Sequence, residues 1–345
     1  MIKKDKKLAI YMEGNLDSMY AKMGYGVMRY SNNPIVCVID SDFAGKRVNE
    51  VIDQPFDIPI VSTVEEAYEK GAEVFVLGLA PSGGKLPDSW VPAVKTALQL
   101  GMSIVNGLHD LLNERFSALL NPKISDQVIW DVRKPRTDYA IARARASKLD
   151  NKRVLMVGTD MAAGKMTAGL EVYKWVKEKG KNADFLPTGQ IGITVMGKGI
   201  PLDAIKVDQA CGAVEHLVLE AKDKEIVFVE GQGSLLHPGS TATLPLMRGS
   251  CPTHLILCHR AEMKTLRDST EIEIPPFKEV IRLNEAVANA GGVFPKAKVV
   301  GIALNSSKLS EKETLDLIER LEKETGLPVT DVVRFGAEKI GRKLL

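Results

Sequence analysis

The densest run of potential chemistry is Gly158–Thr159–Asp160–Met161–Ala162–Ala163–Gly164–Lys165–Met166–Thr167. An apolar run, Arg153–Val157, precedes it, and a helical pattern, Thr167–Lys179, follows it. Strand, glycine turn and helix with a lysine at its start form a phosphate cradle, or P-loop. Gly158 permits a sharp exit from the strand, and Gly164 lets backbone N–H groups come close to phosphate oxygens. The helix start adds its positive end. Lys165 supplies a mobile cation, and Thr167 a hydroxyl for phosphate or metal. The whole segment, with Thr159, Asp160, Ala163 and Met166, is therefore expected to bind a cofactor. The common loop has four residues between its glycines and Ser or Thr directly after Lys. Here five intervene, and Met166 stands before Thr167. That departure favours holding a nucleotide-like group over ATP chemistry.

Two further elements point to the same place. Glu225–Val229 reads as a buried strand ending in Glu230–Gly231–Gln232–Gly233–Ser234. A carboxylate at the C-terminal end of a strand lies on the edge where open α/β sheets bind ligands. Glu230 can thus coordinate Mg²⁺ or take a proton. Asn305 follows the apolar run Val299–Leu304 and can offer its amide to adenine, donating and accepting at once.

The elements that must position these groups alternate along the chain. Strands are expected at Leu8–Met12, Ile35–Ile39, Val74–Leu77 and Ser103–Val105, with helices around Lys22–Tyr30, Ser62–Lys70, Ser89–Leu100 and His109–Leu119. Gln127–Arg133 reads as one more strand and Tyr139–Leu149, rich in Ala, Arg and Lys, as a linker helix. Alternation resumes with strands at Arg153–Val157, Ala183–Leu186, Ile226–Val229, His254–Leu257 and Lys298–Ala303, and a long charged helix at Lys308–Glu324. The fold class is α/β: a Rossmann-like N-terminal domain, residues 1–150, then a P-loop C-terminal domain, residues 151–345. Glu13–Gly14–Asn15 follows the first strand without the Gly-x-Gly-x-x-Gly spacing, which disfavours NAD. Ser82–Gly83–Gly84–Lys85, a glycine turn after the third strand, reads as a solvent loop or an anion contact.

The 345 residues are 45% hydrophobic and 26% charged with a formal charge of +2, so no basic footprint suggests nucleic acid. No apolar stretch approaches bilayer length and no signal-peptide core opens the chain, so cytoplasmic residence without membrane association is expected. Cys37, Cys211, Cys251 and Cys258 show no metal-ligand spacing, and Cys37 and Cys258 read as buried small hydrophobes. No metal site is expected.

Taken together, the three ligand-facing elements resemble the dethiobiotin synthetase-like branch of P-loop proteins. The whole chain more specifically resembles the DgcN (D-glutamate N-acetyltransferase) family, long catalogued as a domain of unknown function. The resemblance is carried by Gly107–Leu108–His109, Asp131–Val132–Arg133, Gly158–Thr167, Pro187–Thr188–Gly189–Gln190, and Val229–Gly233 with His237–Pro238. It implies acetyl transfer from acetyl-CoA to the amine of a small acidic amino acid, D-glutamate first. The alternative is an ATP- and Mg²⁺-dependent ligase or kinase. Acyl transfer to an amine needs a base and an oxyanion donor. Glu230 and His237 are the bases the chain offers near that edge, with Gln232 or the N–H groups of Gly231–Gly233 as oxyanion donors. A substrate with two carboxylates calls for cationic clamps, for which Arg133, Arg136 and Arg248 stand ready. His109, Thr188 and Gln190 lie on loops that could meet the substrate. Homo-oligomers are common among such enzymes.

Overall fold

The computed structural model describes residues 2–345, apart from the Ser82 side chain. Its contacts divide the chain into two units: residues 1–135 with 190–204, and residues 136–189 with 205–345. The border drawn from sequence at residues 150–152 falls inside the second unit. A further short segment, 190–204, belongs with the first.

The first unit runs β1 (Leu8–Tyr11), α1 (Lys22–Tyr30), β2 (Ile35–Ile39), α2 (Val48–Val51), β3 (Ile60–Val61), α3 (Val64–Glu69), β4 (Val74–Leu77), α4 (Val91–Gln99), β5 (Ser103–Asn106), α5 (Leu112–Phe116) and β6 (Ile129–Asp131). Its strands β1, β4 and β5 are buried throughout, which is what helices on both faces of a parallel sheet require of the sequence. The sheet order is β3-β2-β1-β4-β5-β6, all parallel, the doubly wound Rossmann arrangement.

The second unit opens with β7 (Lys152–Gly158), α6 (Lys165–Glu178) and β8 (Ala183–Leu186); α7 (Gln190–Met196) then packs in the first unit against α1. The second unit resumes with α8 (Val207–Glu220), β9 (Ile226–Val229), α9 (Thr243–Ser250), β10 (His254–Arg260), a hairpin of β11 (Thr265–Leu266) and β12 (Ser269–Glu273), α10 (Phe277–Asn289), β13 (Lys298–Asn305), α11 (Glu311–Thr325), β14 (Val329–Asp331) and α12 (Glu338–Gly341). Its parallel sheet has the order β14-β13-β10-β7-β9-β8. The phosphate-loop strand β7 is central, flanked by β9, which Glu230 follows, and β10, which ends in Arg260.

One expected element is corrected. Tyr139–Leu149 is not a helix: residues 139–144 run without regular structure, and only Arg145–Lys148 forms a short 3₁₀ turn. The fully buried Glu215 on α8 accepts the backbone N–H groups of Arg143 and Arg145, and the Arg145 guanidinium closes on it at 2.8 Å. Gly212, one turn earlier, leaves room for the Ala140 carbonyl, which a Cβ there would strike. Helix propensity in this segment yields to a buried carboxylate that binds extended backbone.

All four cysteines are free, and Cys37 and Cys258 are buried, with thiols pushed up to about 12 by burial. Among the described residues no helix is long and apolar enough to cross a membrane.

Candidate active site

In the second unit the cradle forms where β7 outruns its neighbour. Val229, the last residue of β9, pairs with Leu155, while β7 continues to Gly158 beside Cys258. The chain leaving β9 at Glu230 therefore crosses the flank of β7. Gly231 makes this possible: a Cβ there would strike the Met156 carbonyl and lie 2.9 Å from the Lys165 stem. The Thr159 N–H bonds the Cys258 carbonyl at 3.1 Å and carries the β7–β10 pairing into the loop. Ala162 at φ 52° and Gly164 at φ 90° then turn the backbone into α6. The first N–H groups of a helix have no intrahelical acceptor, so this end presents donors to an anion.

Lys165 is buried, and its Nζ donates to the Asp160 carbonyl at 2.8 Å. Burial holds its pKa below the usual lysine value, opposed by Cys258, Asp160 and Glu230. A desolvated ammonium folded onto its own loop is suited to exchange that carbonyl for a phosphate oxygen. Asp160 is itself fully buried. Its carboxylate accepts from the Met161 N–H at 2.6 Å and the Arg267 N–H at 2.5 Å, tying the loop to the β11–β12 hairpin. The Thr159 hydroxyl meets the Nδ1 of His259 at 2.9 Å, and burial lowers that imidazole to about 4, so it is neutral. The Asn305 side chain stands over Gly164: a Cβ on that glycine would lie 3.7 Å from the Asn305 Cβ and 4.0 Å from its amide nitrogen. Thr167 lies on the first turn of α6.

Glu230 is buried, and one of its oxygens accepts the N–H groups of Thr188 and Gly189 at 2.8 and 3.1 Å, while its carbonyl accepts the Thr188 hydroxyl at 2.9 Å. Thr188 is thus bound to the strand tip. The Gln232 amide nitrogen fills the space beside Gly189 that a Cβ would need. His237 is buried with both ring nitrogens engaged: Nδ1 accepts the Gly239 N–H at 3.0 Å and Nε2 donates to the Arg267 carbonyl at 2.8 Å. This imidazole clamps two loops together and has no lone pair left for a proton. Arg248 is placed elsewhere. It lies in the last turn of α9, close in sequence to the start of β10 and so at the opposite edge of the sheet, with its guanidinium on the Val287 carbonyl and the Phe294 ring. Arg136 is exposed and paired with Asp138.

In the first unit, His109 and Arg133 follow the C-terminal ends of β5 and β6. The Arg133 Nη1 contacts the His109 Nε2 and lies 3.3 Å from the Asp203 carboxylate. Guanidinium can only donate, so Nε2 accepts and the His109 proton sits on Nδ1. Burial and Arg133 both hold the His109 pKa down. The Arg133 Nε is buried and unbonded, a cost of about 1–3 kcal/mol until an acceptor arrives. Gln190 opens α7 and packs over Gly107, whose Cβ would lie 3.5 Å from its Cγ. Gly84, at φ 64°, accepts the His109 N–H at 2.7 Å, and a Cβ on it would strike the imidazole. The dinucleotide corner of this sheet is taken by its own chain: the Asp40 carboxylate accepts the N–H groups of Leu16 and Asp42, and Glu13 accepts that of Ser41.

Sequence reading placed the residues of the cradle but missed what holds them. His259, Ser234 (whose hydroxyl bonds the Gly158 carbonyl at 3.0 Å), Arg267 and Asp203 all act across long sequence separations. Only the buried strand end carrying His259 gave any local sign.

A doubly wound Rossmann-like unit followed by a phosphate loop on a parallel sheet defines the chain as a two-domain P-loop protein. Residues 41–135 match a domain of unknown function described as DUF1611_N, Rossmann-like, and residues 140–341 match its partner DUF1611_C, a P-loop domain. The chain belongs to this DUF1611 family. It is similar to a D-glutamate N-acetyltransferase from Pseudoalteromonas sp, 37% identical over 276 residues covering 80% of this chain and 82% of that one. A second D-glutamate N-acetyltransferase, from Tritonibacter scottomollicae, is 34% identical over 81% of this chain and 83% of its own. The crystal structure of a DUF1611 family protein from Anabaena variabilis superposes with a TM-score of 0.94 at 47% identity, over 99% of both chains.

Proposed function

We propose that this protein is an N-acetyltransferase that moves the acetyl group of acetyl-CoA to the amine of an acidic amino acid, with D-glutamate as first choice. The observation that carries this reading is the likeness, over four fifths of the chain, to two relatives named D-glutamate N-acetyltransferase. The geometry of the second unit supports it. Coenzyme A carries a pyrophosphate and an adenine. A helix N-terminus, a buried lysine able to swap a carbonyl for an anion, and an asparagine over the loop suit those groups. When bound, the cofactor supplies a thioester, an acyl group already activated for transfer.

Every other part falls to the chain. Gly158–Thr167 holds the phosphates, with Thr159, Asp160, Ala163, Gly164, Met166 and Thr167 shaping the loop and Lys165 neutralising charge; Asn305 serves the adenine. Glu230 takes the proton from the acceptor amine, and the Gln232 amide with the N–H groups around it donates to the developing oxyanion. His237 is a positioning residue, since both nitrogens are engaged. Thr188 presents its loop from the Glu230 anchor; within the first unit, His109, Arg133 and Gln190 are the groups suited to a carboxylate. Arg248 is left out, being on the far edge of its sheet.

The test is incubation with acetyl-CoA and a panel of D- and L-amino acids while free thiol is followed. Thiol release dependent on D-glutamate supports the reading, and silence across the panel removes it. The strand–loop–helix cradle with Thr167 also favours a second reading, an ATP- and Mg²⁺-dependent ligase or kinase. Substrate-dependent ADP release would establish that one instead.

A further inference from the structure

We infer that Arg133 is the residue that recognises a carboxylate of the ligand of the first unit, and that Asp203 is an internal stand-in which that carboxylate displaces. Naming the ligand as an acidic amino acid rests on the acetyltransferase reading; the site stands on its own geometry.

Three observations point to an exchangeable anion. Arg133 is largely enclosed, its side chain 11% exposed, yet its Nε bonds nothing among the described residues. A guanidinium presents donors in a planar fork made for two carboxylate oxygens, and here the fork is only partly used. Asp203 meets it through a single oxygen at 3.3 Å, from a side chain 44% exposed on the short 3₁₀ turn Leu202–Ala204. That contact is longer than a good charge-assisted hydrogen bond and engages one nitrogen. His109 adds the third feature. Its Nε2 takes up the same Nη1 that reaches Asp203, which leaves the rest of the fork uncommitted, and the Gly84 turn fixes the ring. The cluster sits on loops after β5 and β6, the sheet edge where open α/β folds receive ligands. A largely enclosed cation with an unmet donor, an imidazole that holds one end of its fork and a loosely held exposed carboxylate together describe a site already shaped for the anion that Asp203 imitates.

The roles separate in binding. A ligand carboxylate must compete with Asp203, so removing that charge should help it, whereas a structural ion pair would gain nothing from the change. Calorimetry on the full chain with D-glutamate and with glutarate, each with and without coenzyme A, reads this directly. Asp203→Asn is expected to tighten binding about 3- to 10-fold, as removal of a competing state does. Arg133→Lys, which keeps charge but loses the fork, should weaken it about tenfold, and Arg133→Ala on the order of 30-fold or more. Unchanged or weaker binding by Asp203→Asn, unchanged binding by Arg133→Lys, or no binding of either ligand to the unaltered chain at millimolar concentration would each overturn the inference. Asp203 is exposed, so its variant keeps the test intact if Arg133→Ala does not fold. Arg133-dependent binding without any thiol release would sink the acetyltransferase reading and leave this site standing. Thiol release with Arg133→Lys binding as the unaltered chain does would do the reverse.

Discussion

Lys165→Met separates what the cradle costs the fold from what it does for a ligand. Met nearly matches the lysine stem in length and leaves the packing beneath Gly231 in place. The Lys165 ammonium is buried, its one hydrogen bond runs to the Asp160 carbonyl, and no ion pair joins it among the described residues. Replacing buried ionic groups by apolar side chains of similar volume gains about 1–4 kcal/mol where a whole ion pair is removed, and a lone desolvated ammonium is taken on the same scale; the lost hydrogen bond returns about 1 kcal/mol. The net is a gain of about 0–3 kcal/mol, or up to roughly 12 °C in Tm for a unit of this size. The pH dependence checks the cause. The folded pKa lies below 10.5 because burial penalises the charged form, so the folded chain releases this proton more readily than the unfolded one. Stability of the unaltered chain must therefore rise as pH climbs from the folded value towards 10.5, and the advantage of the Met variant must shrink over the same window. Binding moves the other way. Losing a buried cation opposite phosphate should weaken acetyl-CoA on the order of 30-fold or more. Urea denaturation at several pH values, with calorimetry on the same samples, measures both. A Met variant that is less stable at neutral pH, or that binds acetyl-CoA as tightly as before, would refute the account of Lys165 as a strained, exchangeable cation.

Neighbouring residues carry further expected outcomes. Glu230→Gln keeps an oxygen for the Thr188 and Gly189 N–H groups while removing the base. The melting curve should change little, and kcat should drop on the order of 100-fold or more; equal activity would assign Glu230 to positioning alone. His259 is neutral in the fold with a pKa near 4 against an ordinary 6.5, so its contribution to stability is complete above about 6.5 and is lost as pH falls towards 4. Denaturation across that range should show a loss that is smaller in His259→Phe by a few kcal/mol at most, the remainder coming from His109 and His254, whose pKa values burial also lowers. Gly84→Ala should cost about 1–2 kcal/mol for its left-handed backbone and push the His109 ring aside, lowering D-glutamate affinity while leaving acetyl-CoA affinity intact. Equal affinity for D-glutamate would show that the ring needs no such support.

The part of the molecule legible in the sequence is bounded by a physical line. Ile35–Ile39, Val74–Leu77, Ala183–Leu186 and Ile226–Val229 emerge as strands with the bounds read from them, because a strand packed under helices is a short, largely apolar run between turns. The phosphate loop is equally plain, since Gly158, Gly164 and Lys165 act within one turn of backbone and local spacing holds the whole geometry. Tyr139–Leu149 goes the other way: its local preference is helical, and a carboxylate some seventy residues onward, Glu215, decides otherwise. The same separation hides most of the site's support. Thr159 finds His259, Asp160 finds the Arg267 N–H, and Ser234 finds the Gly158 carbonyl, none of them marked by any period in the chain. His237 shows how this bears on assigning chemistry. A histidine beside a glycine-rich loop has the composition of a base, but a base needs a free lone pair, and only the fold reveals that Gly239 and Arg267 have taken both nitrogens. Arg133 makes the converse case, because its claim to a ligand lies in a donor left unmet inside the protein. Residue type and spacing can therefore say where an anion is welcome, while the account of who is already bonded to whom decides which side chains remain free to meet it.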